Sequence, residues 1–533
     1  MLPAVPEEVL AELGRTEGSA DTLALLVRDQ DTRRLLLLRA VLDAADAAGP
    51  ALCPPAARAR LREDWALLTA ADRTTAPGPP ARTADPGSRA RSADPGFPAR
   101  SADPGSRARS ADPGSRARSA DPGPPARTAA PGPPARSADP GSPARSADPG
   151  SPARVRLGHP LLGPWARRCL TVLDPRGAAP TDDRRRELAL DLAHFGAVAV
   201  VAAARAGLPF TTELTARDGI LVLPSLGALR TPETRVQVSY REGRMTLGRV
   251  TVHLESGSGA WSGSRAWTSA YTLPGLVPGA APVPLDDLDP YRVPPREPDQ
   301  YALSGPAAPD EAERKRWLQT WSGTGAALRT GGAGRLTEAL ALLRCLIPLE
   351  MPPGAAGRGS CSGTRREAFG ALLSSAPATP LALAATIVHE LQHTKLAALN
   401  EMVELHRAGP AARYFAPWRP DPRPYDGLLQ GAYSHLALAD FFQRRALTAE
   451  PARREGAWTQ YARYHAQVGA ALPALVASSD LTTVGRRFVD EMVAAHEGLA
   501  AHPAPRGHTA RAQAYVEAVR SLWTQRQPRR ESR

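Results

Sequence analysis

Cysteine is scarce and scattered in this 533-residue sequence: Cys53, Cys169, Cys345 and Cys361 lie far apart, with no C-x-x-C spacing. A disulfide framework, a zinc ribbon and an iron–sulfur cluster are therefore not expected. No uninterrupted apolar run of about 18 residues occurs, so no transmembrane helix is expected. The N-terminus, MLPAVPEEVLAELGRTEG, lacks a basic stretch followed by an apolar one and does not read as a signal peptide. The expectation is a cytoplasmic protein. Lysine is also nearly missing, Lys315 and Lys395 being the two in the chain. That bias, with abundant Ala, Gly and Pro, suggests a GC-rich coding background and weakens any inference from the mere presence of an arginine.

The net charge is +12, but its distribution argues against a nucleic-acid partner. Residues 77–154 hold 12 Arg and 7 Asp, an excess of five positive charges, and the tail QPRRESR adds more. No folded-looking segment shows a basic stripe interleaved with aromatics. From Pro77 the pattern PGxxAR[ST]AD recurs every nine residues. Alanine is its one recurrent apolar side chain, and Pro-Gly in every copy interrupts regular structure. Such a segment buries too little surface to offset its ordering entropy, so residues 77–154 read as a long disordered insertion.

Either side of it the patterning is that of a folded α+β protein, mostly helical. Five regions are expected: a helical N-terminal segment (1–76), the repeats (77–154), a mixed helix and strand region (155–305), a helical domain (306–525) and a basic tail (526–533). Helical periodicity marks 20–48, 56–72, 186–206, 309–328, 335–346, 452–476, 480–500 and 508–525. TRVQVSY and RMTLGRVTVHL, joined through REG, predict a hairpin, and GILVLPSLGAL and CLIPLEM are strand-like.

The chemistry concentrates in LALAATIVHELQHTKLAALNEMVELH, residues 381–406, a run without Gly or Pro. His389, Glu390 and His393 form H-E-x-x-H. Residues four apart on a helix differ in direction by about 40°, so the two imidazoles share a face and can share one divalent ion. A third ligand must come from elsewhere. The metzincin position for a third histidine is Leu399, and residues 405–449 contain no Glu for a thermolysin-like site. Glu401 and Glu404 lie at least about 12 Å further along the same helix. His435, in GLLQGAYSHLALADFF, is the best candidate, with Asp440 as the fallback. Lys395 points about 140° away from the histidines and is not assigned to the metal. Arg419 and Arg423, in YFAPWRPDPRPYDGLLQGAY, are placed to anchor a carboxylate by paired hydrogen bonds. With zinc and one open position, such a site hydrolyses peptides with Glu390 as general base. With iron and three open positions it takes a bidentate 2-oxoacid and dioxygen.

VHELQHTKLAAL, YFAPWRPDPRPYDGLLQGAYSHLALADFF and the upstream SGTRREAFGALLSS together resemble the HEXXH-motif peptide-modification proteins, the 2-oxoglutarate-dependent HExxH-type peptide β-hydroxylases. The likeness is specific over residues 360–446, looser over 155–359 and 447–525, and has no counterpart for the repeats. It implies a zincin-like helix pair, with the β-containing middle packed against it. It also implies Fe(II), 2-oxoglutarate and O₂ acting on a ribosomally made precursor peptide, with no nucleic acid and no membrane involved. His389, His393 and His435 carry over as metal ligands, and Glu390 as the motif acid, orienting a ligand from behind. Arg419 and Arg423 are the expected 2-oxoglutarate anchors. Two alternatives stay open: a Zn²⁺ metallopeptidase of the HExxH type, and a non-catalytic peptide-binding protein with a vestigial metal site.

Overall fold

The structure, a computed structural model, describes residues 5–73, 159–177, 180–254, 259–292, 304–351, 361–411 and 413–526. The nine-residue repeats and the basic tail lie outside the described residues. Among the described residues the architecture is α+β and mostly helical, with four small sheets.

The H-E-x-x-H segment forms the helix Pro380–Met402, here termed the motif helix. Thr379 caps it by accepting from the Ala382 amide, and Pro380 fills the first turn, where no amide partner is lost. Its residues are buried on several sides (Leu383, Ile387, Val388, Leu391, Leu396 and Leu399 are at most 2% exposed), as befits a central rather than a surface helix. It packs against the partner helix Tyr425–Thr448, which is as thoroughly buried.

Leu10, Leu13, Leu23 and Leu26 from the N-terminal helices enter the same core as these two helices. Residues 38–71 form a second core with Leu162–Leu173 and Asp182–Arg205. The described residues 5–73 thus share their cores with later segments. Asp182–Arg205 has the length and hydropathy of a membrane span, a property hidden by its charged first turns, but 72% of its apolar window is buried inside the protein. Its second half serves both the second core and a third core under the strands of residues 210–267.

Those strands form a five-stranded antiparallel sheet and a three-stranded one. Arg235–Arg241 and Arg244–Leu247 pair as the expected hairpin, with Arg241 opposite Arg244. Glu242 and Gly243 both have positive φ, the requirement of a tight primed turn that matches strand twist. RMTLGRVTVHL, expected as one run, is two strands, because Gly248 at φ 56° makes a second tight turn into Val250–Leu254. The helix expected over 335–346 ends at Leu342, because Cys345 starts a strand.

A mixed sheet leads into the motif helix. Its order is Ser362–Gly363, Ala371–Ser375, Cys345–Leu349, Val283–Leu285, Tyr271–Leu273. Cys345–Leu349 and Ala371–Ser375 run parallel and are buried at every position, which explains the apolar runs Cys345–Leu349 and Ala371–Leu373. Ser362–Gly363 is the edge strand.

A buried ion network locks the motif helix in rotation. Lys395 Nζ lies 2.7 Å from Glu338 Oε1 and donates to the Thr16 and Glu17 carbonyls. Arg335 joins Glu338 (3.2 Å), Asp440 on the partner helix (3.1 Å) and the Thr16 carbonyl (2.7 Å). Removing one member leaves a buried charge uncompensated. Lys395→Met is expected to cost about 3–5 kcal/mol in urea unfolding, and Lys395→Met with Glu338→Leu to recover a substantial part of that loss.

Candidate metal centre

His389 and His393 emerge from one face of the motif helix with their Nε2 atoms 3.1 Å apart. Two imidazoles bound at about 2.0–2.1 Å to one ion hold their nitrogens about 2.8–3.4 Å apart, so this pair has a chelating separation. Gln430, from the partner helix, orients the second ring. Its side-chain oxygen accepts from His393 Nδ1–H at 3.0 Å, which leaves the Nε2 lone pair directed toward His389.

His435 reaches the same place from the partner helix. Its ring centroid is 5.6 Å from that of His389, 4.7 Å from Trp418 and 5.0 Å from Tyr464. Trp418 can lie there because residue 431 is glycine: a β-carbon at that position would come within 2.2 Å of the indole. His435 Nδ1 is buried with no hydrogen-bond partner, a costly state that a ligand would relieve. Three donors within 4.8 Å of one another occur, among the described residues, at His159, Asp286 and Asp289, and not at this trio. Joining the other two nitrogens at one ion therefore requires the His435 ring to turn inward.

The three histidines line a cavity of about 510 Å³, within the range of small-molecule sites. Both arginines singled out from the sequence line it too, as do Arg366, Trp418, Gln430 and the Ser362–Thr364 edge segment. Arg419 and Arg423 come from the strand Arg419–Arg423, which forms a hairpin with Tyr414–Ala416. Arg419 donates to Asp421 at 2.7 Å, while Arg423 Nε is buried and without a partner. The fallback ligand Asp440 is not in the cavity. It is bound to Arg335 and to Arg444 (2.7 Å), because it faces the ion network on the other side of the partner helix. Lys395 also points away from the histidines, into that network.

Glu390 is 2% exposed and firmly held. Ser362 Oγ donates to its Oε1 at 2.7 Å and Thr364 Oγ1 to its Oε2 at 2.6 Å. The motif acid thus ties the motif helix to the edge segment Ser362–Thr364. Both hydroxyls sit in SGTRREAF, a segment prominent in the sequence whose role there was illegible. Gln430 and Trp418 carried no signal at all.

Burial pushes His389 down to about 4, with His393 adding to the effect and Glu390 opposing it. Burial, with His389, His393 and Arg463, pushes His435 well below the usual histidine range. Both rings are therefore neutral at pH 7, the form a metal needs. Imidazoles are donors that suit a divalent transition ion, with His389 and His393 at a chelating separation and His435 lining the same cavity. No family model matches the chain, and no curated protein matches it.

A histidine with a lowered folded pKa favours folding above its unfolded pKa near 6.5 and loses that contribution as pH falls toward the folded value. The metal-free protein is expected to lose stability progressively from pH 6.5 to about 4, with a shallower slope in His389→Gln, as measured by urea midpoints across that range. Gln430→Leu is expected to weaken metal affinity by about 10–100-fold without unfolding the protein, read by competition with a chelating dye.

Proposed function

We propose that the protein is an Fe(II)- and 2-oxoglutarate-dependent oxygenase that hydroxylates a side-chain β carbon of a ribosomally made precursor peptide. The observation that carries the reading is His435, a buried neutral imidazole with an orphaned nitrogen, opposite the His389–His393 pair. No carboxylate among the described residues competes for its place: Glu390 is bound to two hydroxyls, and Asp426, the other acid lining the cavity, pairs with Arg366. This reading entails a zincin-like helix pair in which a later helix supplies the third ligand.

His389, His393 and His435 would hold the iron, which when bound would supply the oxidation of a C–H bond by O₂ coupled to conversion of 2-oxoglutarate to succinate and CO₂. The chain's own groups supply the rest. Arg419 and Arg423 offer guanidinium donors to the distal carboxylate of the cosubstrate, and Arg423 Nε has its hydrogen bond still to make. Trp418 and Tyr464 pack round His435 and shield that side of the centre from water. The edge strand Ser362–Gly363 lies along the cavity and offers backbone groups to an extended peptide, while Ser362 and Thr364 keep Glu390 in place behind His389.

A zinc peptidase would use Glu390 to take a proton from a metal-bound water. Its two oxygens, each accepting from a hydroxyl, suit a positioning residue better than a mobile base. The deciding assay is succinate formation from 2-oxoglutarate by the Fe(II)-loaded protein under air. Turnover is expected to depend on O₂ and to fall at least about 100-fold in His435→Ala. Arg423→Met is expected to raise the 2-oxoglutarate KM about tenfold or more, for loss of a charge-assisted pair. Peptide cleavage that persists anaerobically with Zn²⁺ would establish the peptidase instead. Unaltered peptide binding by His389→Ala, with no turnover by any metal form, would establish the binding protein.

A further inference from the structure

A second group of metal-binding side chains gathers at the first described residue after the repeats. His159 Nε2 is 3.0 Å from Asp286 Oδ2, and a donor atom of Asp289 lies within 4.8 Å of both. All three side chains are nearly inaccessible: His159 and Asp286 are 10% and 8% exposed, and Asp289 3%. The loop 286–289 follows the strand Val283–Leu285 and is wound tightly on its own carboxylates. Asp286 Oδ1 accepts from the Leu288 and Asp289 amides, and Asp289 Oδ1 from the Tyr291 amide. Each acid thus spends one oxygen on backbone, which orients the other.

Two buried carboxylates face one imidazole, and an excess of buried negative charge is costly without a counter-charge. The guanidiniums whose fields reach the cluster are hydrogen-bonded to groups other than its carboxylates. Arg34 binds Asp31 and the Phe369 carbonyl, and Arg292 binds the Asp289 carbonyl. His159 Nδ1 is buried and makes no hydrogen bond. The 3.0 Å imidazole–carboxylate distance is also what two ligands of one ion adopt.

We propose that His159, Asp286 and Asp289 form a second, structural site for one divalent cation, which clips the chain returning from the repeats to the sheet beneath the motif helix. An imidazole with two carboxylates suits a borderline ion such as Zn²⁺ or Mn²⁺ better than Ca²⁺. The site stands apart from the histidine cavity, and its case does not rest on the oxygenase reading. Metal binding there displaces the proton between His159 and Asp286 and supplies the missing positive charge.

The test counts zinc by mass spectrometry in full-length, metal-stripped protein titrated with Zn²⁺ alone and then desalted. Asp289→Asn, which retains an oxygen for the Tyr291 amide, and His159→Ala are each expected to hold one zinc per chain fewer than wild type. His389→Ala/His393→Ala is expected to retain one zinc and to keep a zinc-dependent rise in melting temperature. Equal counts in wild type and folded Asp289→Asn would overturn the proposal, as would a folded His389→Ala/His393→Ala protein with no zinc. If Asp289→Asn does not fold, the count in the double histidine variant decides alone.

Discussion

Lys395 holds its ammonium against Glu338 with neither side chain more than 2% exposed, and much of the candidate centre depends on this contact. Through Arg335 and Asp440 the same network reaches the partner helix, and through the Thr16 and Glu17 carbonyls it holds the N-terminal turn. A helix packed among aliphatic side chains alone can rotate or slide at modest cost. One that must satisfy a buried ammonium on one face has a single register. With Lys395 fixed on that face, His389 and His393 are obliged to point the other way, toward Gln430, Trp418 and His435. Burial of the same helix pair keeps His389 and His435 uncharged, so the packing that orders the rings also prepares them as ligands.

A second constraint acts across the cavity. Glu390 lies next to the candidate ligand His389 in sequence, yet its carboxylate is turned to the Ser362 and Thr364 hydroxyls of the edge segment. The helix and the sheet are thereby joined beside the place where a peptide would lie. Arg419 and Arg423 line the same cavity from a hairpin stiffened by prolines, so on the proposed reading cosubstrate charge and substrate backbone would meet different elements of the fold.

What was legible in the sequence was local. A helix over the run 381–406 followed from its apolar residues without Gly or Pro, but it ends at Met402, so Glu404 lies beyond it. The shared face of His389 and His393 followed from helical geometry, and the exclusion of Lys395 from the same angles. His435 came from eliminating other donors, and it does line the cavity. Non-local features were hidden. Asp440 was a plausible ligand by spacing, but Arg335, 105 residues away, claims it. The turn at Gly248 and Arg249 was masked by strand-like apolar residues beyond it at Leu247 and Val250. His159 and Asp286, 127 residues apart, carry no spacing signal, because only the sheet brings them together.

The central claim, that three imidazoles share one redox-active ion, is tested most directly by X-ray absorption on the Fe(II)-loaded protein. The Asp289→Asn background keeps the second site from contributing. Three imidazole ligands are predicted, falling to two in His435→Ala. A spectrum unchanged by that substitution, or one showing two imidazoles and a protein carboxylate in the parent, would contradict the account.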